Sequence, residues 1–149
     1  MNMKDERQFV GYSKYRSRLV DGHVHTELCP HGSGDRTALM IEKAIELRIE
    51  KVCLTEHAPL PKAFAAEYGG DQKAYDTASL KLNQVDSYLE LGRQLQRAYG
   101  THIDISLGFE VDYIPGFEAD IQEFLDRYGP LTDDNILSVH FMEGVNNAF

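Results

Sequence analysis

Short apolar runs alternate with longer amphipathic segments along most of this 149-residue chain. A short apolar run bounded by polar residues predicts a buried strand, and apolar residues repeated every three or four positions predict a helix. On this basis the chain predicts four strands, at 18–25, 51–55, 102–110 and 135–140. Between them it predicts three helices, at 35–48, 77–99 and 116–128.

Each predicted helix places apolar side chains on one face. Asp35 or Thr37 is expected to cap the first helix, which runs to Arg48. A long loop at 58–76 precedes the second helix, which Gly100 is expected to end. The inward-facing residues are expected to be Leu39, Ile41, Ala44, Ile45 and Leu47 in the first helix, Leu80, Val85, Leu89 and Leu95 in the second, and Ile121, Phe124 and Leu125 in the third.

Strands that alternate with helices predict a parallel sheet, because each helix carries the chain back to the start of the next strand. Four such units amount to half of a closed barrel or to a small open sheet. The expected fold class is therefore α/β, in a single domain over residues 1–149, with a polar N-terminal extension at 1–17.

The charge of the chain narrows the classes of partner. It contains 15 Lys and Arg against 24 Asp and Glu, for a formal net charge of −9. Nucleic acid and anionic membrane surfaces select for Lys and Arg patches, so we expect neither as a partner, whereas small ligands and metal cations stay open. No stretch approaches the ~18 apolar residues of a membrane span, and the N-terminal segment lacks the apolar core of a signal peptide.

Ionisable side chains close all four predicted strands. His23 and His25 end the first strand, and His57 follows the second. Glu110 ends the third strand, and His140 ends the fourth. In parallel α/β folds, ligands bind at the carboxyl ends of strands. A single histidine in such a place is usually structural, whereas a His or Glu at the end of every predicted strand indicates a site at this edge of the sheet.

His23 and His25 have the spacing of a metal-binding pair, because residues i and i+2 of a strand point to one face. His31 lies in a turn-rich loop that can fold back over the same edge. Imidazoles with a carboxylate suit Zn, Mn or Fe, and two or more ions could share Glu110 as a bridge. Clustered metals lower the pKa of bound water and stabilise a phosphoryl group in transfer, so the pattern indicates a hydrolase.

Five segments of the chain, in their order, resemble the polymerase-and-histidinol-phosphatase (PHP) family. They are 21–27 (DGHVHTE), 29–35 (CPHGSGD), 55–61 (TEHAPLP), 108–113 (GFEVDY) and 138–141 (SVHF). The resemblance runs from about Leu19 to Gly144. The segments around His31 and His57 are most similar to the histidinol-phosphate phosphatases within the family.

The resemblance implies a distorted (β/α)7 barrel with three divalent metal ions at the carboxyl ends of its strands. By motif, the ligands would be His23, His25 and Glu110 for the first metal, Glu110 and His140 for the second, and His31 and His57 for the third. His23, His25 and Glu110 would form the catalytic core. There, a metal-bound hydroxide would attack the phosphate ester of L-histidinol phosphate.

The chain departs from the family in length, because a full member is far longer. The second half of a member supplies another metal-binding histidine, an Asp-x-His pair and arginines that hold the phosphate, and none of these follows His140 here. We therefore expect a truncated domain that resembles the N-terminal half of the enzyme. Two alternatives stay open, an inactive metal-binding remnant and a phosphoesterase that acts on another small phosphate ester.

Other residues near the site have candidate roles. Tyr113 and Ser33 are candidate substrate contacts, since Tyr113 follows Glu110 closely and Ser33 lies near a helix start. Asp21 either orients a metal-bound histidine or is only a charge at the strand end. Glu56 either faces the site or belongs to the loop that follows the strand.

Three further residues are expected to be structural. Cys29 and Cys53 match no zinc-knuckle spacing and are expected to be small buried residues. Unpaired cysteines suit a reducing compartment, which favours a cytoplasmic protein. His102 begins the third strand, at the edge opposite the site.

Half a barrel leaves its first and last strands as open edges, which recruit other strands. It also uncovers an apolar interior, and contiguous apolar patches rarely stay in water. The residues expected to be exposed in this way are Leu19, Val20, Ile136, Leu137 and Val139. We expect a homodimer in which two copies cover each other, with a flat sheet covered by its own helices and loop as the alternative.

Overall fold

The computed structural model of the protein describes residues 18–66 and 72–141. The strands within this part of the chain are β1 (Val20–Val24), β2 (Lys51–His57), β3 (Asp104–Asp112) and β4 (Ile136–Ser138). The α-helices are α1 (Thr37–Glu46), α2 (Gln72–Ala78), α3 (Val85–Tyr99) and α4 (Glu118–Tyr128). Short 3₁₀ segments lie at Lys62–Ala66, Leu82–Gln84 and Gly129–Leu131. The predicted extension at 1–17 lies outside the described residues.

The four strands form one parallel sheet in the order β1-β2-β3-β4. The sheet curls into half of a barrel, with helices between successive strands, which confirms the predicted α/β architecture. Of the helices described, none has the length and apolar character needed to cross a lipid bilayer.

The two faces of the sheet differ in polarity. Outward-facing residues of β2 and β3 pack with helix residues in one core, which includes Ile41, Val52, Leu54, Val85, Tyr88, Leu95, Ile105, Leu107, Phe109 and Val111. Strand residues alternate between faces, so Thr55, Ser106 and Glu110 face the inside of the curl. The expectation of an apolar interior is therefore wrong for β2 and β3, because their inner positions carry polar side chains that lead to the strand ends.

Tyr88 of α3 anchors that helix to the sheet. Its side chain is fully buried, and its hydroxyl lies 2.9 Å from the Leu54 carbonyl oxygen and 2.5 Å from that of Gly108. The Tyr88 hydroxyl oxygen also accepts a hydrogen bond from the Glu56 backbone N–H at 3.3 Å. One phenol thus bridges β2 and β3 just before both strands reach the candidate site.

The segment predicted as one helix at 77–99 is two helices. The α-helix α2 ends at Ala78, and α3 begins at Val85. The interruption has a tertiary cause: the Leu80 N–H donates to the His57 carbonyl oxygen, and Ser79 Oγ accepts from the Leu60 N–H. These bonds tie residues 79–80 to the chain that leaves β2, which a helical pattern alone does not reveal. The predicted loop at 58–76 correspondingly contains a 3₁₀ segment and most of α2.

The first helix begins differently from the prediction. Arg36 occupies the N-cap position without a side-chain hydrogen bond, so neither Asp35 nor Thr37 caps the helix. Glu27 takes over this role, because its carboxylate accepts from the Thr37 N–H at 2.6 Å. In return, the Glu27 N–H donates to Thr37 Oγ1.

The far end of the same helix is also shorter than predicted. It stops at Glu46, and Arg48 then takes a left-handed backbone conformation with φ of 59°. Leu39 and Leu47, which were expected to face inward, are exposed. The buried face is therefore narrower than predicted and includes Ile41 and Ala44.

The outer strands expose apolar side chains, as expected for open edges. Leu19 and Val20 at β1 are exposed, and so are Leu137 and Val139 at β4, where Leu137 reaches 68%. Ile136, expected to be exposed with them, is only partly so. β4 has three residues, fewer than the predicted 135–140.

Gly108 sets how closely the segment before β4 approaches β3, and its substitution tests the fold. A methyl group added at Gly108 would lie 1.5 Å from the Asp134 carbonyl oxygen, and backbone cannot rotate out of the way as a side chain can. We expect Gly108→Ala to lower the free energy of unfolding by about 2 kcal/mol or more. Urea denaturation followed by circular dichroism measures this loss. Gly129→Ala is the matched control, because an added methyl there meets open space; equal stability of the two variants would contradict the account.

Candidate metal centre

Five histidines and one glutamate converge at the carboxyl edge of the sheet. β1 supplies His23 and, one residue past its end, His25, while β2 ends with His57. β3 carries Glu110 near its end, directly opposite His57 in the strand register. The loop after β1 supplies His31, and His140 follows β4 by two residues. The predicted convergence is thus what the strand register produces.

The Glu110 carboxylate lies at the centre of the cluster and is buried. Its Oε2 is 3.1 Å from His57 Nδ1, 3.4 Å from His23 Nε2 and 3.5 Å from His25 Nε2. Its Oε1 is 3.4 Å from His140 Nε2. The two strand-alternate histidines of β1 therefore do point to one face, as their spacing predicts.

The imidazole rings are also close to one another. The centroid of the His57 ring lies 4.4 Å from that of His25, 5.0 Å from His31 and 5.8 Å from His140. The register between β1 and β2 shifts between Asp21 and Val24, just where His23 lies. Such irregularities re-aim side chains next to functional sites, and this one accompanies the inward orientation of the β1 histidines.

Four of the five rings have a partner at Nδ1. The pairs are His23 with Thr55 Oγ1 (2.7 Å), His25 with Glu56 Oε1 (3.0 Å), His31 with the Thr77 carbonyl oxygen (2.8 Å) and His140 with Asp112 Oδ1 (2.7 Å). Carbonyl and carboxylate oxygens only accept, so Nδ1 of His25, His31 and His140 carries the hydrogen. In the neutral ring this leaves a lone pair on Nε2, which is the form that binds a metal.

His57 differs from the other rings and provides a test of whether a cation fits. Its Nδ1 and Glu110 Oε2 are both buried, and neither has a hydrogen-bond partner among residues 18–66 and 72–141, despite their separation of 3.1 Å. Buried polar atoms without partners are costly, so such a pair needs an explanation such as a bound ion. An imidazole nitrogen and a carboxylate oxygen are both donors that zinc accepts. The residues present therefore fit a divalent metal.

Three groups of side chains have ligand atoms close enough to share an ion, all within 4.8 Å of one another. They are His23, His25 and Glu110; His57, Asp112 and His140; and His25, Cys29 and Glu56. The first is the set expected from the sequence for the first metal. The second includes Asp112, which the sequence analysis missed. Its position two residues after Glu110, on the same face of β3, was the available signal.

Glu56 lies within β2 and not in the loop that follows it. It contacts the site through hydrogen bonds from His25 and from the His57 backbone. Its fully buried carboxylate accepts from the Thr26 N–H (2.8 Å), Thr26 Oγ1 (2.7 Å), His25 Nδ1 (3.0 Å) and the His57 N–H (3.1 Å). Burial by itself would raise the pKa of Glu56, but the hydrogen bonds from His25 and Thr26 lower it below its ordinary value. The hydrogen bond to Glu56 in turn raises the pKa of His25, against the effect of burial.

The pKa of His57 moves in the opposite direction. Burial lowers the pKa of its imidazole below the ordinary value and outweighs the opposing charge of Glu110. Nearby His25 and His31 lower the pKa further. The ring therefore favours its neutral form, in which one nitrogen keeps a free lone pair.

The two cysteines are buried free thiols, as expected. Burial raises the pKa of both thiols, which disfavours the thiolate. His102 is exposed in the turn before β3, beside Thr101 and at the other edge of the sheet. Asp21 is exposed on β1 and belongs to none of the candidate metal groups found among the described residues.

The two candidate substrate contacts lie in loops near the cluster. The Tyr113 hydroxyl donates to Glu118 at the start of α4, and the residue is 40% exposed. Ser33 is exposed, and its hydroxyl accepts from the Asp35 N–H. Contact of either residue with a substrate stays a prediction.

Comparison with known proteins identifies the family. The sequence profile of the PHP domain matches residues 21–149, which is most of the chain. The chain belongs to the PHP domain family. The cluster of histidines around Glu110 is thus the candidate metal centre of a PHP domain.

Two curated proteins match this PHP chain over part of their length. The histidinol-phosphatase of Bacillus subtilis is 43% identical over 122 residues, covering 82% of this chain and 44% of that protein. A protein of Deinococcus radiodurans assigned the same activity is 28% identical over 124 residues, covering 83% of this chain and 43% of that protein. The PHP chain therefore spans about half the length of the curated relatives it matches.

Two crystal structures share the fold. A protein from Listeria monocytogenes assigned as a histidinol phosphatase superposes with a TM-score of 0.82 and 42% identity, covering 87% of this chain and 47% of that one. The histidinol phosphate phosphatase of Lactococcus lactis, complexed with zinc, L-histidinol and phosphate, superposes with a TM-score of 0.63. At 24% identity over 84% of this chain and 41% of that one, the second likeness shows the fold alone.

Replacing Glu56 tests whether its carboxylate holds this edge together. In Glu56→Gln the amide NH₂ replaces one carboxylate oxygen, so at least one buried backbone donor, the Thr26 N–H or the His57 N–H, loses its acceptor. We expect the free energy of unfolding to fall by about 2–4 kcal/mol. Urea denaturation measures the change. Glu46→Gln, at an exposed ion pair with Lys43, is the control and should leave stability unchanged; a Glu56→Gln variant as stable as this control would refute the role.

Proposed function

We propose that this chain carries the metal centre of a phosphomonoesterase whose substrate is L-histidinol phosphate, with L-histidinol and phosphate as products. The observation that carries the proposal is the convergence of four imidazoles on the Glu110 carboxylate, with the His31 ring beside them, in a chain 43% identical to a histidinol-phosphatase. Because the chain spans about half of that relative, the activity of the whole protein is a proposal for this one.

The metals are proposed to be zinc, with manganese or iron as alternatives, in up to three sites. The proposed ligands are His23, His25 and Glu110 for the first site, Glu110 and His140 for the second, and His31 and His57 for the third. The two unpartnered buried atoms, His57 Nδ1 and Glu110 Oε2, support a cation at this place. Two protein ligands rarely hold a divalent ion without help, so we expect partial occupancy, with the first site filled best.

The chemistry is divided between the metals and the chain. Divalent metals held here would supply positive charge that lowers the pKa of water and stabilises a phosphoryl group in transfer. The chain supplies fixed ligands: the hydrogen bonds at Nδ1 hold His25, His31 and His140 with Nε2 free. Tyr113 and Ser33 are proposed to contact the substrate from the surrounding loops. Two buried free thiols support a reducing, cytoplasmic setting.

Turnover by site variants tests the proposal. We expect the zinc- or manganese-loaded protein to release phosphate from L-histidinol phosphate, and His23→Ala or Glu110→Gln to lower kcat/KM by about 100-fold or more. His102→Ala is the matched control, because this histidine is exposed and lies at the other edge of the sheet. Phosphate release is measured directly, together with metal content per chain.

The outcomes separate the candidate functions. Zinc binding without release of phosphate from any monoester would favour a metal-binding module without turnover. Release of phosphate only from another small phosphate ester would support the metal centre but change the substrate assigned to it. Full activity of both site variants would contradict the assignment of the metal centre itself.

We further propose that the chain forms a homodimer through its open edges. The exposed apolar residues at β1 and β4 support this, because exposed strand edges recruit other strands. Leu137→Lys, at the most exposed of these positions, is expected to shift the protein from dimer to monomer. Leu82→Lys is the control, since Leu82 is also exposed but lies in the 3₁₀ segment before α3. Light scattering at micromolar concentration decides the matter, and a monodisperse wild-type monomer would rule out the dimer.

A further inference from the structure

Asp112 is a buried carboxylate that the proposed metal assignment does not use. It is the last residue of β3 and points to the same face as Glu110, two positions earlier. Its Oδ1 lies 2.7 Å from His140 Nδ1 and 3.1 Å from Ser138 Oγ. Both partners belong to the segment that follows β3 in the sheet, so one carboxylate oxygen holds β4 and the histidine after it.

His140 has little support from packing. It follows a strand of three residues at the edge of the sheet, and its side chain is 49% exposed. An exposed side chain on an edge strand samples several rotamers unless a hydrogen bond selects one. The short bond to Asp112 selects the orientation in which Nε2 points at Glu110 Oε1, 3.4 Å away.

We propose that Asp112 is a positioning residue of the metal centre, acting through His140. Its carboxylate keeps the hydrogen of the imidazole on Nδ1 and so leaves Nε2 as the ligand atom, and its charge makes that lone pair a stronger donor. The inference rests on the proposed metal binding, but it concerns an orientation that exists in the metal-free protein as well.

A different role for the same residue is direct ligation. Asp112, His57 and His140 have ligand atoms within 4.8 Å of one another and could share an ion. Because Oδ1 already accepts from two donors, direct ligation would use Oδ2. The two roles differ in what asparagine can replace. An amide oxygen still accepts a hydrogen bond from Nδ1, whereas a neutral amide is a poor metal ligand.

Zinc affinity, measured by competition with a chromophoric chelator, distinguishes the roles. The relevant zinc ion is the one whose binding is lost in His140→Ala. We expect Asp112→Ala to weaken the affinity for this ion by about 10- to 100-fold, the usual cost of losing the hydrogen-bond partner of a ligand. Asp112→Asn should recover most of this loss. Ser138→Ala is the matched control, because it removes the other hydrogen bond to Asp112 and leaves the bond to His140; its zinc affinity should stay at the wild-type value.

A double-mutant cycle adds a readout that a general effect on folding would not move. In a His140→Ala background, Asp112→Ala should weaken zinc binding no further, because the residue through which it acts is gone. Further weakening in that background, or an Asp112→Asn variant as impaired as Asp112→Ala, would overturn the proposal in favour of direct ligation or a general structural role.

The metal-free protein gives an independent test. At a pH where the imidazole is neutral, the ¹⁵N shifts of labelled His140 should show hydrogen on Nδ1 in the wild type and in Ser138→Ala, and a mixture of tautomers in Asp112→Ala. Unchanged shifts in Asp112→Ala would overturn the proposal. If no form of the protein binds zinc, the proposed function fails, while this measurement still decides the role of Asp112.

Discussion

The buried carboxylate of Glu56 accepts hydrogen bonds from the chain at the end of β1 and from β2. The Thr26 N–H, Thr26 Oγ1 and His25 Nδ1 donate to it from the end of β1, and the His57 N–H donates from β2 itself. A charge with no exposure to solvent is stable only when it is fully compensated, and four donors meet that condition. The position of the first edge strand, and with it the position of two site histidines, depends on this compensation.

The imidazole rings of the metal centre are hydrogen-bonded in the same way, with the exception of His57. The four Nδ1 partners come from three segments: β2 for His23 and His25, the end of α2 for His31, and β3 for His140. These bonds fix the rings before any ligand arrives, so little orientational entropy is lost on binding. The unpartnered pair of His57 Nδ1 and Glu110 Oε2 is the uncompensated remainder. Its cost is the kind of local instability that functional sites retain.

The sequence predicts the architecture and the members of the site, because both follow from strand ends. Alternation of strand and helix implies parallel strands, and parallel strands bring His57 and Glu110 to neighbouring positions. The break between α2 and α3 could not be predicted from the sequence, because it depends on hydrogen bonds between residues 79–80 and the end of β2 with the chain that follows it. The spacing of Asp112 from Glu110 was a signal that it lies at the site, but its pairing with His140 depends on where the neighbouring strand places that histidine.

The order of the strands in the sheet, β1-β2-β3-β4, is also their order in the sequence. Within the part of the chain that the structure describes, each strand pairs with the strand before it, and no later strand is inserted between the two. The sheet can therefore lengthen one strand at a time as the polypeptide leaves the ribosome, each new strand using the exposed edge of the last as a template. Contacts of moderate sequence separation keep the entropic cost of each addition small. The outer edge of β4, as the last strand added among those described, is then open to pairing with a wrong partner.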